Sequence, residues 1–235
     1  PLPFNLNCFP FWVPSGILIL PFFPSIVGIS IVVPRAASAI DIGNSKNKLT
    51  SDLVNYTFAP TAPTSWKKNP TEWLTSLDIE KVMKQYEARY SDFRFIGPTP
   101  IDFESVPQTY DDLCVWKDLC KFSLQKEVNK GFKKIGVIFN LDKHTGPGTH
   151  WTSLFIDVTD KFIFYFDSAG NSLPIEVKKL VEKVMQQGLD LTQPIKFTYY
   201  DTHMLEHQKG NNECGMYSFC LLYTSDAADE EDSVD

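Results

Sequence analysis

From Trp73 onward, apolar positions recur at spacings that identify their elements. Between Asp78 and Tyr90, the residues Ile79, Val82, Met83 and Tyr86 share one helical face, and Ser76 is placed to cap it. Phe93–Ile96 and Ile101–Phe103 flank Gly97-Pro98-Thr99-Pro100, which reads as a turn or an extended corner. Asp111 and Asp112 suit the start of a second helix running to about Val128, because acidic groups favour a helix N-terminus. Three apolar runs follow with strand character: Ile135–Asn140, Trp151–Val158 and Phe162–Asp167. The last two are close enough to form a hairpin through Thr159-Asp160-Lys161. Pro174 opens a helix to about Gln187 with Ile175, Val177, Leu180, Val181 and Val184 as its stripe. Lys196–Tyr200 is a further strand. Helices, strands, a helix and a strand in this order predict an α+β domain: a central mixed sheet flanked by helices.

The pattern divides the chain into four parts. Residues 1–39 form a Pro-rich apolar segment, uncharged up to Arg35, that holds seven of the 16 prolines. Phe11 to Val33 is 23 uncharged residues, long enough to span a bilayer, but Pro14, Pro21 and Pro24 would break a helix there. The segment reads as a membrane segment or a non-native translation. Residues 40–72 are a polar linker, residues 73–219 the folded domain, and residues 220–235 an acidic tail.

Charge sharpens this division. The formal net charge of −7 describes the tail more than the body, since Asp226, Asp229, Glu230, Glu231, Asp232 and Asp235 face no base there. Without them the chain holds 23 acids against 22 bases. The acidic balance argues against a sequence-independent DNA binder, which needs a basic face. Five cysteines in 235 residues are too sparse for a disulfide scaffold. Cys114 and Cys120 have no Cys/His pair nearby to complete a zinc site. Free thiols, no metal and no cofactor are the expectation.

Three loops carry candidate chemistry. Gly146-Pro147-Gly148-Thr149-His150-Trp151 delivers an imidazole to a strand start. Asp167-Ser168-Ala169-Gly170-Asn171 ends a strand on a carboxylate. Gln208-Lys209-Gly210-Asn211-Asn212-Glu213-Cys214-Gly215 runs into an apolar stretch. Alone, each has an ordinary reading as a loop histidine, a turn former or a buried thiol. Together they supply the three parts of cysteine hydrolysis: a thiolate, a base to take its proton, and a group that fixes the base.

The ordered set His150-Trp151, Asp167 sixteen residues beyond that Trp, and Gln208-x5-Cys214-Gly215 resembles the SUMO-protease and adenovirus-protease family of cysteine peptidases. The strings GTHWTSLFID, YFDSAGNSLP and NNECGMYSF resemble in particular its large DNA virus branch, the asfarvirus-type and mimivirus-type polyprotein proteases. The similarity covers roughly residues 73–219. It implies a papain-like fold of the ubiquitin-like-protease type. Cys214 is then the nucleophile, His150 the base and later the acid, Asp167 its orienting partner, and Gln208 a donor to the oxyanion. Trp151 would wall a groove admitting a Gly-Gly main chain. Viral members can move the oxyanion amide toward the cysteine, so Asn211 rivals Gln208. His144, His203 and His207 lie near the motifs without their context.

The resemblance implies a polypeptide partner: a viral structural polyprotein, or a conjugate of SUMO or a related modifier. An inactive binding module on the same fold is a reading of another class. A membrane partner enters only if residues 11–33 are a genuine span. The expected location is host cytoplasm or virion for a viral enzyme, and cytoplasm or nucleus for a cellular one. The tail string CLLYTSDAADE resembles a translated sequencing adapter. Native sequence is therefore expected to stop near Phe219, leaving a C-terminally truncated domain of weak activity.

Overall fold

The computed structural model describes residues 71–107 and 113–227, with 60, 61, 65, 68 and 69 besides. The readings of residues 1–39, most of the linker, Asp111, Asp112 and residues 228–235 lie outside them. Among the described residues no helix is long and apolar enough to cross a membrane. One compact unit spans Pro60–Asp226.

Helix α1 (Ser76–Arg89) buries Ile79, Val82, Met83 and Tyr86, the face its spacing predicts. Its cap is Thr75 and not Ser76. The Thr75 hydroxyl accepts the Asp78 N–H, and the Asp78 carboxylate accepts the Thr75 N–H in return. This reciprocal box satisfies two otherwise unpaired helix-end donors, which Ser76 as cap could not match with Asp78.

Strand β1 (Phe93–Pro100) continues through the expected turn or extended corner, with its register shifted between Ile96 and Thr99. Ile101–Phe103 forms a turn after it. The predicted long helix is two short ones, α2 (Lys117–Cys120) and α3 (Leu124–Asn129). Burial of Leu119, Phe122 and Leu124 bends the chain between them, because no straight helix face presents all three to one core. The sulfurs of Cys114 and Cys120 are bonded, with Cα atoms 6.6 Å apart, so the expectation of free thiols fails there.

Strands β2 (Lys134–Asn140), β3 (Trp151–Asp157) and β4 (Phe162–Phe166) follow the predicted runs. Helix α4 (Ile175–Leu189) buries Val177, Leu180, Val181 and Val184, but Ile175 is 58% exposed in its first turn. Strand β5 is Thr198–Asp201, and helix α5 is Cys214–Ala227.

The five strands lie in chain order, β1-β2-β3-β4-β5. The outer pairs β1/β2 and β4/β5 are parallel, and the inner pairs are antiparallel. Register sorts the side chains by face. Val137 lies opposite Leu154, which lies opposite Tyr165; Ile135, Ile156 and Ile163 make the next row. These rows join α4, α2 and α3 in one core cluster. The alternate positions face α5. At Gly136 a Cβ would come within 3.0 Å of the Leu222 and Phe93 side chains, so the Leu222 side chain rests directly on the sheet backbone there. The mixed five-stranded sheet between helices is the predicted α+β architecture. Helix α5 continues past Phe219, and Leu221 and Leu222 are buried in the same body.

Candidate active site

β3 starts one residue after His150, and β4 ends one residue before Asp167. These strands are antiparallel neighbours, with Ser153 opposite Phe166, so both groups emerge at the same end of the sheet. His150 Nε2 lies 2.6 Å from Asp167 Oδ1. With that nitrogen committed to the carboxylate, Nδ1 is left for the thiol of Cys214, to which the ring is hydrogen-bonded.

The loop before His150 is fixed by side chains taking up its backbone donors. Asn140 Oδ1 accepts from the N–H groups of Asp142 and Thr149, each at 3.0 Å. The Asp142 carboxylate accepts from Lys143 and Gly148. Gly148 has φ +93°, and a Cβ there would meet the Asn140 amide at 3.0 Å, so glycine is required on both counts. His144 is directed elsewhere in the same loop, its Nδ1 2.7 Å from Asp102 Oδ2.

Asp167 is 1% exposed, and besides His150 its anchors are two local donors and Thr202. Oδ1 also accepts the Ala169 N–H at 2.8 Å, and Oδ2 accepts the Asn171 amide at 3.1 Å. Thr202 clasps its backbone, accepting from the Asp167 N–H and donating to the Asp167 carbonyl.

Cys214 is the first residue of α5 and is 3% exposed. Burial alone would raise its pKa. The hydrogen bond from His150, the N–H groups of Trp151 and Gly215, and the imidazolium charge outweigh burial, and the thiol is held below its ordinary value. For His150, burial opposes the charge, yet the hydrogen bonds to Asp167 and Cys214 and their negative charges raise it to about 9. Asp167 is lowered because the His150 and Ala169 bonds exceed its desolvation. The three shifts favour one state: a thiolate beside an imidazolium beside a carboxylate.

Gln208 reaches the same turn. Its backbone N–H donates to the Ser168 carbonyl at 3.0 Å, and its side-chain Oε1 accepts the Ser168 hydroxyl at 2.7 Å. Asn211 is exposed on the loop between Gln208 and Cys214. Glu213 closes that loop, accepting from the N–H groups of Lys209 and Gly210. His207 packs at a tilt against Phe166 with ring centroids 5.3 Å apart, and burial lowers its pKa. His203 is exposed on the Thr202–Leu205 turn.

Trp151 is buried, and its indole N–H donates to the Leu74 carbonyl at 3.0 Å. It lines a cavity of about 670 Å³ shared with Trp73, Leu74, Trp116 and Gly148. Leu74 also abuts the residue after Cys214: a Cβ on Gly215 would meet its side chain at 2.7 Å. The sequence reading assigned no site role to Trp73, Leu74, Ser168, Asn171 or Thr202.

The pattern of the Ulp1 protease family, C-terminal catalytic domain, matches residues 114–232. The chain is 30% identical over 182 residues to the "Putative thiol protease R355" of Acanthamoeba polyphaga mimivirus, covering 75% of this chain and 54% of that protein. It is 33% identical over 161 residues to the "Cysteine protease S273R" of African swine fever virus, covering 66% and 58%. The chain thus spans a little over half the length of these relatives. The crystal structure of the African swine fever virus pS273R protease superposes with a TM-score of 0.55 at 23% identity, over 77% of this chain and 68% of that one. Sequence pattern and fold agree: the chain belongs to the Ulp1 protease family.

Proposed function

We propose that this protein is a cysteine endopeptidase that cleaves viral structural polyproteins after Gly-Gly. The observation that carries the reading is His150, held between the Asp167 carboxylate at 2.6 Å and the Cys214 thiol, with His150 raised and Cys214 lowered. The Cys214 thiolate attacks the scissile carbonyl carbon. The resulting oxyanion accepts from the Gln208 amide and the Cys214 backbone N–H. His150 gives its Nδ1 proton to the departing amine, and the C–N bond breaks to leave a thioester. Water then attacks the thioester, yields its proton to His150, and releases the new carboxylate and Cys214. Asp167 stays ionised throughout and keeps the ring's Nε2–H directed away from the sulfur.

Gln208 is preferred to Asn211 as the oxyanion donor, because the Ser168 contacts hold Gln208 from both backbone and side chain. Trp151 and Trp73, lining one cavity, suit a substrate segment whose glycines bring no side chains past them. A second reading, an isopeptidase for SUMO or a related modifier, is favoured by relatives that carry the name "SUMO-1 cysteine protease S273R". Labelling with an electrophilic Gly-Gly probe tests the chemistry. Labelling that disappears in Cys214→Ala and weakens in His150→Ala supports it, whereas equal labelling of Cys214→Ala sinks it. Cleavage of a Gly-Gly-X peptide against a SUMO conjugate then separates the two substrates.

A further inference from the structure

The residue after Asp167 is a buried hydroxyl with no part in the triad. Ser168 is 1% exposed, and its hydroxyl donates to Gln208 Oε1 at 2.7 Å. Its carbonyl accepts two further N–H groups, from His207 at 2.8 Å and Gln208 at 3.0 Å. Ser168 therefore grips the Gln208 segment at three points, across 40 residues of sequence.

The polarity of the side-chain bond matters. A primary amide offers an oxygen at one end and an NH2 at the other. A hydroxyl can meet either end, but it has only one proton to donate. Were the Gln208 amide reversed, the buried Ser168 proton would face an NH2 and have no acceptor. A buried donor left unpaired is costly, so the hydroxyl selects the orientation in which it donates to Oε1. That orientation turns the Gln208 NH2 away from Ser168 and leaves it as the end that can donate elsewhere.

We propose that Ser168 is a positioning residue for the oxyanion site, fixing the Gln208 amide so that its NH2 and not its oxygen meets the developing negative charge. Asp167 and Ser168 then divide one task between adjacent residues. The carboxylate sets the orientation of the base, and the hydroxyl sets the polarity of the oxyanion donor. The inference rests on the reading of Gln208 given above.

The test is a double-mutant cycle on the full chain, with a Gly-Gly-X peptide as substrate. Gln208→Ala is expected to lower kcat by about 10²–10³-fold. Ser168→Ala is expected to lower kcat by roughly ten- to a hundredfold through misorientation, with KM changed less than about twofold. In the Gln208→Ala background, adding Ser168→Ala should cost less than about twofold, because nothing remains to orient. The pH dependence of Cys214 alkylation by iodoacetamide should match wild type in Ser168→Ala, since the thiolate pair does not use this bond. Ser168→Cys fills the same space with a weak donor and serves if the alanine variant melts early; it should lose nearly as much kcat. Wild-type kcat in Ser168→Ala, an equal loss in both backgrounds, or an altered alkylation profile would overturn the proposal. Wild-type activity in Gln208→Ala would instead overturn the assignment of Gln208, and this inference with it.

Discussion

The reactive groups reach the site from two halves of the molecule built on different principles. His150 and Asp167 are carried by β3 and β4, whose separation is set by a continuous ladder from Ser153/Phe166 to Asp157/Phe162. Gln208 and Cys214 arrive on a loop and a helix start, held by a handful of contacts: Ser168, the Glu213 carboxylate, and the Asn212 amide on the Thr71 carbonyl. In the sheet half, geometry is a by-product of folding. In the loop half, it depends on individual hydrogen bonds, so function can be lost there with little loss of stability.

The largest effect cuts across both halves. Cys214→Ala should abolish peptide cleavage, by more than about 10⁵-fold, while leaving the melting temperature close to wild type. Retained turnover would refute the nucleophile assignment. Next, Asp167→Asn should lower kcat by about 10³-fold and change the pH profile. Catalysis needs the thiolate, which forms above the lowered Cys214 value, and the imidazolium, which is lost above about 9. Wild-type kcat/KM is therefore expected to be bell-shaped with an alkaline limb near 9. Without the carboxylate that favours the charged ring, that limb should move to lower pH. An unmoved limb would show that another group sets it.

A core change in the sheet half should act on stability instead. Leu154 is fully buried between Val137 and Tyr165, and Leu154→Ala should cost about 2–5 kcal/mol in denaturant unfolding. The smallest effect belongs to the loop half. Glu213→Gln weakens the acceptor for the Lys209 and Gly210 N–H groups and should lower kcat by about threefold to tenfold, with under about 1 kcal/mol lost in stability. If Glu213→Gln unfolds the protein, or Leu154→Ala leaves its stability intact, the contrast between the halves does not hold.

The same contrast marks what can be read in a one-dimensional string. β2, β3, β4 and α4 show as apolar runs because each buries its own residues against one core. His150, Asp167, Gln208 and Cys214 show because their chemistry stands out beside glycines and strand ends. Ser168, Thr202 and Leu74 do not, because their roles come from partners 35 to 77 residues away. The break between α2 and α3 was hidden for a related reason. Phe122 leaves the helical path to join Leu119 and Leu124 in a core whose other walls come from later sequence. The Cys114–Cys120 bond escaped because six residues of separation leave the distance between two thiols open until the turn between them is known.

Leu74 touches both ends of the candidate site, through the Trp151 indole and through the van der Waals surface of Gly215. Of the four proposed catalytic residues, Cys214 is made last, and its helix docks on a residue made some 140 positions earlier. On the ribosome, a nascent chain would present the base and its carboxylate well before any nucleophile. The candidate site would thus close only when the late helix reaches the early leucine.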